Sequence, residues 1–226
     1  AAKEGLNGME ELVEGLKEAM FEDPVEDTRC VLHCEMKNEG FKTASKVQYV
    51  ARVGNFIDNG ADYTGALQIL KVILSYDYLW QNIRVKGGAY GCMSGFSRTG
   101  EGYFVSYRDP NLERTMEVYE GIADYLKNFT VSDRDMNKYI IGTMSNIDQP
   151  MTPSAKGDRS FNLYMNKVSA ETIKKERLQI LEAGQEDIRK LADVVEAVMK
   201  AEQVCVIGSE EKIEEAKDMF KNVTTF

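Results

Sequence analysis

The stretch DYTGALQILKVILSYDYLWQNI, residues 62–83, decides the fold. Its apolar side chains occupy more than one helical stripe, because Tyr63, Ala66 and Leu70 share one face whereas Val72 lies on another. A helix that is apolar around most of its circumference is a buried one. The stretch therefore predicts a central helix that packs against a sheet.

Segments with strand character lie before and after this helix. We predict strands at residues 30–36, 46–56, 88–98, 102–107 and 203–208. The loop Thr99-Gly100-Glu101 fits a three-residue hairpin connection, which makes two of these strands antiparallel neighbours. Residues 37–45 carry Gly40 and mostly polar side chains, so we expect a turn or an irregular link there.

The second half of the chain is predicted to be mostly helical. Asp109-Pro110 fits a helix start, with an acceptor at the N-cap and proline at the first helical position. Ser132 with Asp135 three residues later fits a capping box. Further helices are expected at residues 152–167, 170–182, 186–200 and 210–222. Strands grouped with helices give an α+β fold, a mainly antiparallel sheet with helices packed on one face.

The central helix is followed by Arg84-Val85-Lys86-Gly87-Gly88-Ala89-Tyr90-Gly91, where a helix pattern changes to a strand pattern. A glycine pair lets the backbone approach another backbone or a ligand closely. Arg84 and Tyr90 can donate hydrogen bonds to carbonyl or carboxylate oxygens, which would suit a peptide-gripping element. The same residues also fit a helix stop, with Arg84 near the last helical carbonyls. Chemistry alone leaves both interpretations open.

Longer stretches resemble a known family. They are LWQNIRVKGGAYG (79–91), FVSYRDPNL (104–112), KYIIGT (138–143) and TPSAKGDR (152–159). Together they resemble the C-terminal half of presequence-protease-type peptidases, a branch of the insulinase-like (pitrilysin, inverted zincin) zinc metallopeptidases. The likeness extends from about Asn38 to the end of the sequence. It implies an insulinase-like peptidase domain, the C-terminal domain of that half.

This resemblance also implies a function, because such enzymes close two halves of two domains each around a peptide. The N-terminal half would hold zinc through a His-x-x-Glu-His helix. The C-terminal half would contribute an arginine and a tyrosine that bind the substrate beside the metal, and the matching positions are Arg84 and Tyr90. The implied partners are peptide substrates and the N-terminal catalytic half of the same protein.

The zinc motif itself is absent from this sequence. It needs two histidines on one helix and a glutamate that activates water, whereas the chain has a single histidine, His33. We therefore expect no metal ligand, no catalytic residue and no cofactor in this chain, and no peptide hydrolysis by the chain alone. The alternative function is a catalytically inert structural or peptide-binding module of the insulinase-like type.

A domain boundary is expected near Asp23-Pro24, which ends a helix pattern. In the resembled family each domain ends with a short strand and an acidic amphipathic helix like the one around Ile213. Residues 1–24 would then be the closing helix of the preceding domain, and residues 25–226 the C-terminal domain. Acidic amphipathic helices resemble one another in many proteins, so the comparison leaves this boundary open. An apolar face on the first helix would favour self-association of the chain.

The charge of the chain argues against a nucleic-acid partner. Lys and Arg total 28 against 37 Asp and Glu, a net charge of −9, whereas nucleic-acid binding calls for a clustered basic face. The longest apolar runs reach about ten residues, well below the roughly 20 that span a bilayer. We therefore expect neither nucleic acid nor membrane as a partner.

A few residues admit a second interpretation. Cys30, His33 and Cys34 could suggest a metal site, but in a strand the two cysteines point to one face and the histidine to the other. Four cysteines are few for a secreted disulfide scaffold, so we expect buried thiols and a cytoplasmic location. Arg108-Asp109 could present a charge to a ligand, although Asp109 also fits the helix cap described above.

Overall fold

The computed structural model of the chain describes residues 3–19 and 37–225. The chain divides into two compact units, residues 1–35 with 150–167 and residues 36–149 with 168–226. The strand predicted at residues 30–36 lies outside the described residues, as do Cys30, His33 and Cys34.

The larger unit is built on a six-stranded sheet with the order β3-β4-β2-β5-β1-β6. The strands are β1 (Glu39–Thr43), β2 (Gln48–Asn55), β3 (Gly91–Phe96), β4 (Glu101–Asp109), β5 (Gln203–Ser209) and β6 (Asn222–Thr225). Four strands (β2 to β5) match predicted ones. Strands β3 and β4 form the predicted antiparallel hairpin.

The sheet is mixed rather than purely antiparallel. Strand β2 runs antiparallel to both β4 and β5, but β1 runs parallel to β5 on one side and to β6 on the other. The predicted α+β class is confirmed. The expected antiparallel arrangement holds for one part of the sheet, and the part around β1 is parallel.

The helices account for most of the remaining chain. They are α1 (Lys3–Ala19), α2 (Ala66–Ile73), α3 (Glu113–Glu120), α4 (Ile122–Lys127), α5 (Asp133–Ile147), α6 (Pro153–Met165), α7 (Ala170–Leu181), α8 (Gln185–Lys200) and α9 (Glu210–Glu215). Helix α2 continues directly into two π-helical turns, Leu74–Tyr78 and Trp80–Val85. Ser132 caps α5 as predicted, since its hydroxyl accepts from the Asp135 N–H at 3.2 Å.

The central helix is buried as its multi-stripe pattern predicts. Its side chains that are at most 1% exposed are Leu67, Ile69, Leu70, Ile73, Leu74, Leu79 and Ile83. Fully burying one such side chain stabilises the fold by about 1.5–3 kcal/mol. The helix thus provides much of the core, and its last turn is fixed in position where the candidate site begins.

Residues 37–45, which we expected to be a turn or an irregular link, contain strand β1. The segment is short and mostly polar, but it is hydrogen-bonded on both sides, to β5 and to β6. Gly40 fits beneath Ile213 and Phe220, where an added Cβ would lie 3.0 Å and 3.1 Å from their side chains. Long-range pairing therefore outweighs the turn composition of this segment.

The last predicted helix, residues 210–222, is too long. Helix α9 ends at Glu215, a 3₁₀ turn follows at Lys217–Met219, and the chain then forms β6. The change of direction places Phe220 in the core, where it is 9% exposed. The amphipathic pattern of this segment is satisfied by a short helix and a turn.

The smaller unit contains α1 and α6. Four apolar side chains of α1 are 42–59% exposed, namely Met9, Leu12, Val13 and Leu16. The expected boundary near residue 24 and the expected self-association stay predictions. Within residues 3–19 and 37–225, no helix combines the length and the apolar character that crossing a membrane requires.

Candidate functional site

The candidate site begins where the central helix ends. In the final π-helical turn the Lys86 N–H donates to the Gln81 carbonyl at 3.0 Å. Gly87 passes so close to this turn that a Cβ would lie 2.4 Å from the Ile83 oxygen, and Gly88 has φ +81°. A side chain at Gly87 would collide with the helix, and one at Gly88 would strain the backbone, so each position favours glycine for its own reason. The glycine pair therefore ends the helix, as the helix-stop interpretation requires.

Arg84 lies in this last turn, half-buried. Its guanidinium carbon is 4.1 Å from the centre of the Trp80 ring, a cation–π arrangement. Within residues 3–19 and 37–225 the guanidinium has neither an ion pair nor a side-chain hydrogen bond. Arg84 is thus held in place by an aromatic face, while its N–H donors are available to a ligand.

Tyr90 immediately precedes β3 and is 61% exposed. Its ring centre is 5.6 Å from that of Tyr107, and its backbone N–H donates to the Arg108 carbonyl at 3.3 Å. In the part of the chain that the structure describes, its hydroxyl has no hydrogen-bond partner. The positions expected for Arg84 and Tyr90, at the helix end and the strand start, are confirmed. The structure does not test their role.

Sequence reasoning gave too little weight to Arg108. Its guanidinium carbon lies 5.5 Å from the centre of the Tyr90 ring, and its φ of 48° is unusual for a residue with a side chain. The sequence contained a signal for this position, because Arg108 directly follows the predicted strand 102–107, which pairs with the strand after Tyr90. The guanidinium of Arg108 therefore lies over the ring of Tyr90.

The glycine loop is held by the segment that connects β4 to α3. The Asn111 side-chain amide donates to the Gly87 carbonyl at 2.6 Å, and Arg114 donates to the Lys86 carbonyl at 3.1 Å. Asp109 is 0% exposed and accepts from the Asn111 N–H at 2.9 Å. These contacts join the glycine loop to the end of β4, the start of α3 and the link between them.

The prediction that Asp109-Pro110 starts a helix is wrong. Strand β4 continues to Asp109, and α3 begins at Glu113 with Leu112 at its N-cap. The Asp109 carboxylate accepts from the Thr115 hydroxyl at 2.7 Å instead of capping a helix at its own position. A buried acceptor that bridges β4 and α3 explains the same local sequence.

The site also affects a thiol in β3. Burial raises the pKa of Cys92 to about 11, the negative charge of Asp109 adds to the rise, and Arg84 opposes it. Because only the thiolate reacts with alkylating reagents, Cys92 should react with iodoacetamide about 100-fold more slowly at pH 8 in the folded than in the unfolded protein. The factor follows from the shift of its pKa from 9.0 to about 11.

Peptide mass spectrometry after timed alkylation measures this difference for the Cys92 peptide alone. The same protein in denaturant is the control, and the folded protein should gain reactivity as the pH approaches 11. Equal alkylation rates at pH 8 in the folded and the denatured protein would contradict the shift.

Metal ligands do not cluster in the described residues. Within 3–19 and 37–225, no group of three His, Cys, Asp or Glu side chains could hold a metal ion. The expectation that zinc lies in another part of the full-length protein stays a prediction.

Known proteins similar to this chain agree with the resemblance noted in the sequence. Protein HypA of Clostridium perfringens is 48% identical over 187 residues, which cover 83% of this chain and 19% of that protein. Presequence protease 1, chloroplastic/mitochondrial, of Arabidopsis thaliana is 31% identical over 188 residues, which cover 83% of this chain and 17% of that protein. The chain thus spans less than a fifth of the length of either curated relative.

A solved structure supports the fold. The peptidase M16 inactive domain from Pseudomonas fluorescens matches with a TM-score of 0.57 at 16% identity, over 89% of this chain and 50% of that one. At this identity the likeness concerns the fold alone. The family described as "PreP C-terminal domain" matches residues 38–211. The chain therefore belongs to the family of PreP C-terminal domains.

Proposed function

We propose that this chain is the non-catalytic, substrate-binding C-terminal portion of a zinc-dependent endopeptidase. Arg84 and Tyr90 would bind the substrate beside a metal held by the N-terminal half. One observation carries the proposal: at the end of a buried helix, a single glycine loop separates a guanidinium and a phenol that have no polar side-chain partner among the described residues.

The chemistry of the pair suits a peptide carbonyl. When water adds to a peptide bond, negative charge develops on the carbonyl oxygen, and fixed hydrogen-bond donors stabilise that charge. The Arg84 guanidinium offers several N–H donors in a fixed plane, and its contact with Trp80 limits the freedom it would lose on binding. Tyr90 adds a neutral donor. Both act from the ends of regular elements, which favours a precise geometry.

The names of the relatives support peptides as the substrate class. The Arabidopsis relative is called a presequence protease, and peptides are the substrates proposed for the full-length protein. The other candidate is an inert structural or peptide-binding module, which would share the fold but would not support turnover. Restoration of turnover by mixing distinguishes the two.

We expect the purified chain to bind no stoichiometric zinc and to cleave no peptide, because a single histidine cannot supply the zinc motif. Metal analysis and a fluorogenic peptide assay with and without chelator measure both properties. The full-length protein is the positive control. Chelator-sensitive turnover by the chain alone would contradict the proposal.

A second experiment mixes the chain with the N-terminal part of the protein. Adding the chain to a separately prepared N-terminal part should restore turnover if the chain completes the site. The N-terminal part must be folded and loaded with zinc. If its turnover is the same with and without the chain, the result favours the inert module.

A further inference from the structure

The glycine loop that separates Arg84 from Tyr90 is held by backbone bonds from Gly88 to Arg84 and from Ala89 to Ile83, and also by contacts from outside itself. Gly87 lies three positions after Arg84 and three before Tyr90, so the path of its peptide unit sets the spacing of the pair. Two adjacent glycines lose more conformational freedom on ordering than any other residues would. An external contact at this point therefore has a large influence on the geometry of both side chains.

That contact is made by Asn111. Its side-chain amide donates to the Gly87 carbonyl at 2.6 Å, across 24 positions of sequence. The amide is a directional hydrogen-bond donor. The bond fixes the middle of the loop.

Asn111 is itself firmly held. Its backbone N–H donates at 2.9 Å to Asp109, whose carboxylate is 0% exposed. The second oxygen of this carboxylate accepts from the hydroxyl of Thr115, which is 2% exposed in α3, at 2.7 Å. Pro110, between the two residues, fixes its own φ. The backbone of Asn111 is therefore bonded to a buried carboxylate, which belongs to β4 and is also bonded to α3.

We propose that Asn111 is a positioning residue, which sets the distance between Arg84 and Tyr90 by holding the Gly87 carbonyl, with Asp109 as its support. In this role Asn111 contacts the loop and acts on the substrate only through Arg84 and Tyr90. The inference rests on the proposed function of the pair, because positioning matters only if Arg84 and Tyr90 bind the reacting group.

The test uses the full-length protein and the variant Asn111→Ala. A misplacement of about 1 Å at a reacting centre can cost about 10²-fold in rate, so kcat should fall about 10- to 100-fold. The matched control is Asn128→Ala, which removes an amide-to-carbonyl bond of 2.8 Å to Asp124 at an exposed helix end. This control should leave kcat unchanged.

A double-mutant cycle with Tyr90→Phe separates positioning from a general loss of structure. If Asn111 acts through the pair, the effect of Asn111→Ala should shrink in the Tyr90→Phe background, since residues that act as a unit are not additive. Fully additive effects would overturn the inference. If Asn111→Ala does not fold, Asn111→Asp, which keeps the size and removes the donor, takes its place in the cycle.

The outcomes also separate this inference from the function on which it rests. A large effect of Tyr90→Phe together with a normal kcat for both Asn111 variants overturns the positioning role alone. No effect of Tyr90→Phe overturns the proposed function and the positioning role with it.

Discussion

Tyr90→Phe in the full-length protein should lower peptide turnover by about 10²–10³-fold, because removing one donor to a developing oxyanion typically costs that much. The substitution removes one hydroxyl and keeps the ring that packs near Tyr107. Since Tyr90 is 61% exposed, folding should be unaffected. Steady-state kinetics with a peptide substrate and a thermal melt of the same preparation measure the two properties.

Arg84→Ala should reduce turnover at least as strongly, because it removes a fixed charge and leaves Trp80 without its stacked guanidinium. Arg84→Lys keeps the charge but loses the planar fork, so it should recover only part of the activity. The matched control for Tyr90→Phe is Tyr76→Phe, which removes a hydroxyl from a tyrosine of the same region that is 67% exposed, and it should leave turnover unchanged. Near-normal kinetics and melting for both Tyr90→Phe and Arg84→Ala would leave the stretch with the role of a helix stop only.

The largest expected loss of stability comes from Phe104→Ala. Phe104 is 0% exposed in β4, and its ring centre is 5.9 Å from those of Phe96 and Tyr119. Removing a buried phenylalanine side chain costs the transfer free energy of its atoms and leaves a cavity, together about 3–5 kcal/mol. The free energy of unfolding, from urea titration followed by circular dichroism, should fall by this amount.

A matched substitution controls for this measurement. Phe161 in α6 is 61% exposed, so Phe161→Ala should change the free energy of unfolding by no more than about 0.5 kcal/mol. A loss below about 1 kcal/mol for Phe104→Ala would contradict the burial of this ring next to Phe96 and Tyr119.

Predictions of the fold succeeded where local pattern and burial agree. The central helix was predictable because its apolar residues surround it, and the β3–β4 hairpin because Gly100 supplies a residue with φ +96° in a short loop. Strands β1 and β6 were missed because they are short and polar. Their stability comes from pairing with a strand far away in sequence, and local composition carries no trace of such a partner.

For the candidate site, too, some residues could be predicted from the sequence and others could not. Arg84 and Tyr90 were identified through the family resemblance, and their places at the two ends of the glycine loop followed from the change of pattern there. Asn111 and the support given by Asp109 could not be found in this way. Their contacts to the loop and to α3 depend on tertiary structure, and the local Asp-Pro pair imitates a helix start.

The two π-helical turns bear on how this segment tolerates changes of length. In the first, the Leu79 N–H donates to the Leu74 carbonyl, five residues back, where an α-helix would bond four back. Each such turn holds one residue more than an α-helical turn. A one-residue deletion between Leu74 and Val85 can be absorbed by conversion to α-helix, leaving both ends in place. The same deletion within Ala66–Ile73 rotates the buried side chains by about 100°. Evolutionary loss of a single residue is therefore compatible with the π-helical segment next to Arg84 and incompatible with Ala66–Ile73.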